Sequence, residues 1–211
     1  MKKKFFTWVA IALVAALVVY NSVYFKKLSE VKASSLAKQF DPKLYARNFW
    51  NKLLPVADTA IKIATLKRSL LTNPDSTFDA CSHALGIGNI RYILVKGEGP
   101  VKAVYEDEVA ISILADSSKK PVRLATEYIF GNAVRDASGI LNVSDFTNSM
   151  DFNNVSVEIN KIIRAEVLPA FKANIKSGVT VAFVGAIELN RKHPNLDDIE
   201  VIPVRLKIIK P

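Results

Sequence analysis

The residues best suited to chemistry gather behind one apolar run. From Thr126 to Gly139 the chain turns polar and glycine-punctuated, and Asp145 to Asn154 continues in the same style. Glu127, Asn132, Arg135, Asp136, Asn148 and Asn153 stand out there as a candidate ligand-binding set. A guanidinium offers donors in a fixed fork, and short amides both donate and accept. Beside aromatic faces such groups suit a small polar ligand such as a sugar or an acid. The same residues also fit a structural role. Arg135 then pairs with Asp136 or Asp145 to pin a long crossover, and the asparagines cap turns and the helix that follows.

Other constellations are thinner. Glu127, Asp136 and Glu188 are the carboxylates that acid–base or glycosidic chemistry would use. No Gly-x-Ser-x-Gly elbow accompanies the two histidines, His83 and His193. Cys81-x-His83 has no second pair at zinc spacing, so neither metal nor cofactor is expected. Cys81, between Phe78 and Leu85, reads as a buried small apolar residue. Gly86-Ile87-Gly88 and Gly97-Glu98-Gly99 read as turns, since neither leaves a strand to open a helix. Asn142-Val-Ser144 and Asn154-Val-Ser156 match the glycosylation acceptor pattern. The expectation is a protein that is not an enzyme.

Two kinds of element must position these residues. Up to about Leu85 the signals are helical. Asp41-Pro42 is an N-cap followed by proline at the first helical position. Tyr45, Phe49, Leu53 and Val56 share one face until Pro55 interrupts, and a second helix carries Ala60, Ile61, Ile63, Ala64, Leu66 and Leu70. A third, short helix follows Asn73-Pro74-Asp75. From Gly86 the pattern is β: Ile90–Val95, a turn over Lys96–Pro100, Val101–Tyr105, Glu108–Leu114, Val122–Phe130, Thr180–Leu189 and Ile199–Ile209. One helix, from about Asn153 to Lys172, repeats Val155, Ile159, Ile163, Val167 and Phe171, and Pro169 is expected to kink it. Pro203 marks an edge or a bulge. The expected fold class is α+β: a small N-terminal helical subdomain, then a partly open barrel of the oligonucleotide/oligosaccharide-binding (OB) type with one long inserted helix. An open α+β sheet is the alternative. The expected divisions are 1–27 as anchor or signal, 28–85 as basic stalk and helical subdomain, and 86–211 as barrel.

The anchor comes from residues 5–25. Only Thr7, Asn21 and Ser22 are polar in these 21 residues, and Lys2-Lys3-Lys4 and Lys26-Lys27 flank them. As a helix the run is about 31 Å long, close to a bilayer core. The apolar run is longer than a signal peptide needs and lacks a clean small-x-small site. It reads as an uncleaved transmembrane helix in the inner membrane, with the following domain in the periplasm. The formal charge of +9 is concentrated near it: residues 26–52 contribute +5, whereas residues 53–211 contribute only +1. That distribution describes a collar beside the membrane and argues against a nucleic-acid partner.

Phe40-Asp41-Pro42, Phe49-Trp50-Asn51, Gly86-Ile87-Gly88-Asn89, Val95 to Gly99, Thr126 to Gly139, Phe183 to Glu188 and Ile199 to Pro203 together resemble a family of predicted periplasmic lipoproteins, a domain of unknown function. The resemblance covers nearly all of residues 40–205. It implies a helical subdomain before an OB-like barrel, and a role beside sugar ABC-transporter genes. It supplies no catalytic residues, and the lipobox cysteine of such proteins is missing here. The resulting expectation is a membrane-anchored extracytoplasmic binding or accessory protein with a sugar-like ligand or an ABC-transporter component as partner. The alternatives are a structural module that docks through an exposed Tyr45, Phe49 and Trp50 patch, or a carboxylate hydrolase.

Overall fold

The computed structural model describes residues 40–86, 88–114, 116 and 120–209, with Phe6 and Trp8 isolated before them. The rest of the expected anchor, and the stalk before residue 40, lie outside the described residues. Among the described residues no helix is long and apolar enough to cross a membrane.

Chain order runs α1 (Pro42–Ala57), β1 (Ile61–Lys62), α2 (Ile63–Thr72), α3 (Pro74–Cys81), β2 (Ile90–Val104), β3 (Glu108–Ile111), β4 (Val122–Ala125) and α4 (Ala133–Ala137). A short 3-10 turn (Val143–Asp145), α5 (Ser149–Ile162), a π-helical turn (Ile163–Val167), α6 (Leu168–Asn174), β5 (Thr180–Asn190) and β6 (Glu200–Ile209) complete it. Asp41 caps α1 as its sequence predicts, its Oδ1 accepting from the N–H groups of Lys43 and Leu44 at 3.0 Å. Pro55 does not interrupt α1. It lies in the last turn, and the helix continues through it to its C-cap at Asp58. The apolar face is rotated from the expected one and buries Ala46, Phe49, Trp50, Leu53 and Ala57. Ala60 and Ile61 are not helical. Ile61 and Lys62 instead pair in parallel with Val95 and Lys96.

Hydrogen-bonded neighbours run β2-β3-β4-β6-β5, and β2 pairs again with β5, which closes the five strands into a barrel. Within these five strands all contacts are antiparallel except β4 with β6. The expected OB-like α+β architecture is present, with a closed barrel instead of a partly open one. Closure comes from a strand that the sequence pattern divides in two. Lys96–Pro100 is no turn; β2 runs through it for 15 residues and pairs with β5 at eleven positions, from Ile90 opposite Asn190 to Pro100 opposite Thr180. The glycines are there for proximity. A Cβ on Gly99 would lie 1.8 Å from the Ser112 carbonyl oxygen, and one on Gly97 would lie 2.6 Å from the Phe183 ring. With both side chains absent, β2 can bend across β5 and the end of β3.

Alternation then sorts side chains. Val109, Ile111, Val122 and Leu124 point inward with Ile93, Val95, Phe183, Ile187 and Val201. Ile63, Leu66 and Leu70 of α2, Phe78 of α3 and Phe171 of α6 join the same core. Cys81 packs half-buried at its edge. The helices and the barrel are therefore one compact unit over Asp41–Pro211, and the division expected at residue 85 falls inside it. The buried Lys67 Nζ meets Asp116 Oδ2 at 2.8 Å beside this core. The long helix changes register as Pro169 predicts: a π turn precedes it, with the Leu168 N–H reaching the Ile163 carbonyl. Pro203 falls opposite Gly185 where the β5–β6 register shifts, so it sits at a bulge.

Gly99→Ala is expected to cost about 3 kcal/mol, the upper range for overpacking, because the obstructing atom is backbone. Gly86→Ala, with nothing within 4 Å of the added carbon, is expected to stay within about 0.5 kcal/mol. Urea midpoints of the two variants measure the contrast.

Candidate functional site

The structure does not gather the six predicted site residues at one surface. Arg135 and Asp136 are 3% and 5% exposed on α4, which packs on β2 and β5. Arg135 Nε donates to Asp136 Oδ1 at 2.6 Å, Nη2 to Oδ2 at 3.3 Å, and Nη1 to the Phe152 carbonyl at 3.0 Å. Its guanidinium carbon lies 3.5 Å from the Phe152 ring centroid, and Phe152, Phe146 and Tyr45 continue as a ladder of ring contacts. The side chain is thus enclosed by protein partners that use its charge and its flat face. The pair braces the crossover as the second reading of these residues expects.

The other four are dispersed. Exposed Glu127 accepts from Lys172 Nζ at 2.6 Å, and that hydrogen bond holds its carboxyl below the ordinary value. Asn148 caps α5, its side chain accepting from the Asp151 N–H at 2.8 Å. Asn132 begins α4 without a side-chain cap bond, and Asn153 is exposed on α5. Composition did not reveal two further braces, Asn160 Nδ2 on the Gly131 carbonyl at 3.0 Å and Arg164 Nη1 on the Ile129 carbonyl at 2.5 Å. They turn α5 and the π turn into a clamp on the loop after β4. Ser156, in the second acceptor pattern, is buried on α5.

Glu188, the third carboxylate considered for acid–base work, stands opposite Tyr92 on the barrel's outer face. Burial first, then the Glu188 and Asp136 charges and a hydrogen bond to Glu188, push the Tyr92 hydroxyl up to about 12. His83 is engaged through its backbone, which exchanges bonds with Tyr92 at 2.8 and 2.9 Å. Among the described residues no cluster of His, Cys, Asp and Glu is arranged to hold a metal ion.

A different region has the geometry of a binding site. A cleft of about 670 Å³ opens where β1 and the start of α2 meet the middle of β2, β5 and β6. Ile63, Ile113, Leu114 and Phe183 contribute its apolar wall. Lys62, Arg68, Lys96, Arg205 and Lys207 stand around it with Glu98 as the one carboxylate. Its size falls within the ~300–1,000 Å³ typical of small-molecule sites. Sequence reasoning missed it because the cations come from four separate segments, and Lys96 lay in the supposed turn.

Arg135→Ala, which strands the Asp136 carboxylate in the interior, is expected to cost about 3–5 kcal/mol by urea denaturation. Tyr92 gives a pH signature. An ordinary phenol titrates near about 10, so the folded protein holds this proton to higher pH than the unfolded chain does. That stability is complete below about pH 10 and lost as pH rises toward about 12. The stability difference between the native protein and Tyr92→Phe should therefore narrow through that window; a constant difference would contradict the assignment.

Comparison with known proteins agrees with this architecture. An OB-fold protein from Thermotoga maritima MSB8 shares 30% identity and superposes with a TM-score of 0.73, covering 82% of this chain and 100% of its own. No curated protein matches the chain. The family model described as predicted periplasmic lipoprotein (DUF2291) matches residues 13–207, and with a barrel of the same type beneath it the chain belongs to that family of extracytoplasmic, membrane-associated proteins of unknown function.

Proposed function

We propose that this protein is a non-enzymatic binding module of the cell envelope and that the cleft between α2 and the barrel is its ligand site. One observation carries the reading: an open cavity of about 670 Å³ combines an apolar wall with convergent polar groups. The ligand class expected from the sequence, small and sugar-like, suits such a mixture, since a sugar presents both hydroxyls and an apolar ring face. Work beside a solute-uptake system of the ABC type is part of the proposal. So is anchoring through residues 5–25, because the only cysteine, Cys81, lies on α3 inside the folded unit.

The competing readings draw less support from the geometry. Docking through Tyr45, Phe49 and Trp50 needs an exposed patch, but Phe49 and Trp50 are 2% and 5% exposed, and Tyr45 alone is half-buried. A carboxylate hydrolase needs two carboxyl groups open to one substrate bond, whereas Asp136 is buried against Arg135 and Glu127 is held by Lys172. A nucleic-acid partner is disfavoured by the outer face of β3, β4 and β6, where Glu108, Asp198 and Glu200 surround Arg123. That face is where OB barrels take oligonucleotides, and its carboxylates repel phosphates.

A thermal-shift screen of the full chain in neutral detergent against sugars, polyols, sugar acids and sugar phosphates tests the proposal. A ligand at 100 times its dissociation constant adds about 2.7 kcal/mol, a rise of roughly 5–10 °C for this size. Leu114→Glu, which places a charge on the apolar wall, should abolish the shift. A panel with no response overturns the reading.

A further inference from the structure

We infer that the cleft takes an anionic small solute, with a phosphate or carboxylate group seated among Lys62, Arg68 and Lys207 and its body against the apolar wall. This rests on the reading of the cleft as a binding site and specifies what that site selects.

Many of the described basic side chains that pack against the fold meet carboxylates, and others, such as Arg91 and Arg164, meet backbone carbonyls. Arg47 pairs with Glu166, Arg123 with Glu108 and Asp198, Lys172 with Glu127, and Arg191 with Asp75 and Asp79. What sets the cleft apart is that five cations line one cavity, with Glu98 as the one carboxylate in its lining. Of its five cations only Arg205 meets a carboxylate, Asp58 at 2.6 Å. Lys96 Nζ meets only the Asp58 carbonyl, at 2.8 Å. Lys62, Arg68 and Lys207 have no ion-pair partner among the described residues.

Like charges gathered around one hollow repel each other and are destabilising unless something answers them. Isolated surface lysines would be solvated without consequence. Here residues of β1, α2, β2 and β6 bring five cations and one carboxylate, Glu98, to the lining of a single cavity with a low-dielectric wall, so the local field stays positive where a ligand would sit. The first turn of α2 adds to it, since Lys62 makes no side-chain cap bond there and no acidic residue occupies that turn. A neutral sugar would leave this charge unanswered; a sugar phosphate or a sugar acid would neutralise it. The opposite character of the β3–β4–β6 face, with three carboxylates around one arginine, sets the two sides of the barrel apart as anion-accepting and anion-repelling.

Calorimetric titration of the full chain in neutral detergent tests this with four probes: glucose 6-phosphate, glucuronate, glucose and monomeric dihexanoyl-phosphatidylglycerol. The expected result is binding of glucose 6-phosphate or glucuronate at least tenfold tighter than glucose, and weakening as salt rises. Arg68→Gln and Lys207→Gln should each weaken it at least tenfold, and Lys172→Gln, on the far ion pair with Glu127, should not. Glucose binding as tightly as the anions, with the Gln variants unaffected, overturns the anion assignment and leaves the binding module standing. Binding of the lipid probe alone overturns the small-solute assignment in favour of a headgroup. No binding by any probe, with all variants folded by circular dichroism, overturns both readings.

Discussion

The long antiparallel ladder between β2 and β5 is the constraint on which the rest of the structure depends. Eleven consecutive pairings join Ile90–Pro100 to Thr180–Asn190, and they convert a curved sheet into a barrel without an open edge at that seam. The ladder exists only because β2 crosses Phe183 and Ser112 where a side chain could not fit. Once β2 is in place, its free edge beyond β3 accepts Ile61 and Lys62 in parallel. That short pairing delivers α2 to the end of the barrel, where Ile63, Leu66 and Leu70 complete the core. The outer face of the same ladder carries Tyr92, Leu94 and Ala186, over which α4 packs.

Two polar constructions stand on this frame and have opposite logic. The Arg135–Asp136 pair is enclosed, neutral as a unit and supplied with protein partners on every edge, so it holds the crossover in one arrangement. Buried pairs of this kind contribute little net stability over apolar packing but are costly to break. The cleft is open, and among the described residues only Arg205 of its five cations is paired with a carboxylate. Polar groups satisfied from within specify structure, whereas polar groups left unmatched beside a cavity specify what can enter it. That difference, more than residue type, separates brace from binding site in this protein.

Local rules were legible in the sequence wherever a feature depends on near neighbours. The Asp41-Pro42 cap needs only the first turn of α1. The alternation of Val109 and Ile111 needs only one strand, and Pro169 needs only the preceding turn. The OB-like order followed from the number of strands and the place of the inserted helix. What stayed hidden depends on distant partners. Gly97, Gly99 and Pro100 have the composition of a turn, and the reason they form a strand lies in Ser112 and Phe183. Arg135 has a type that suits either a ligand or a fold, and the choice is made by Phe152, on a different helix. The cleft has no sequence signature, because Lys62, Arg68, Lys96 and Lys207 meet only after the barrel closes.

The central claim is that the cleft, and not the Thr126–Gly139 loop, is the ligand surface. Backbone amide shifts of isotopically labelled protein, recorded as glucose 6-phosphate is added, test it most directly. The account predicts that perturbed amides cluster in β1 and the first turn of α2, and at Lys96–Glu98, Ala182–Val184 and Arg205–Lys207. Perturbations centred on Glu127, Asn132 and Arg135, with the cleft unchanged, would contradict it.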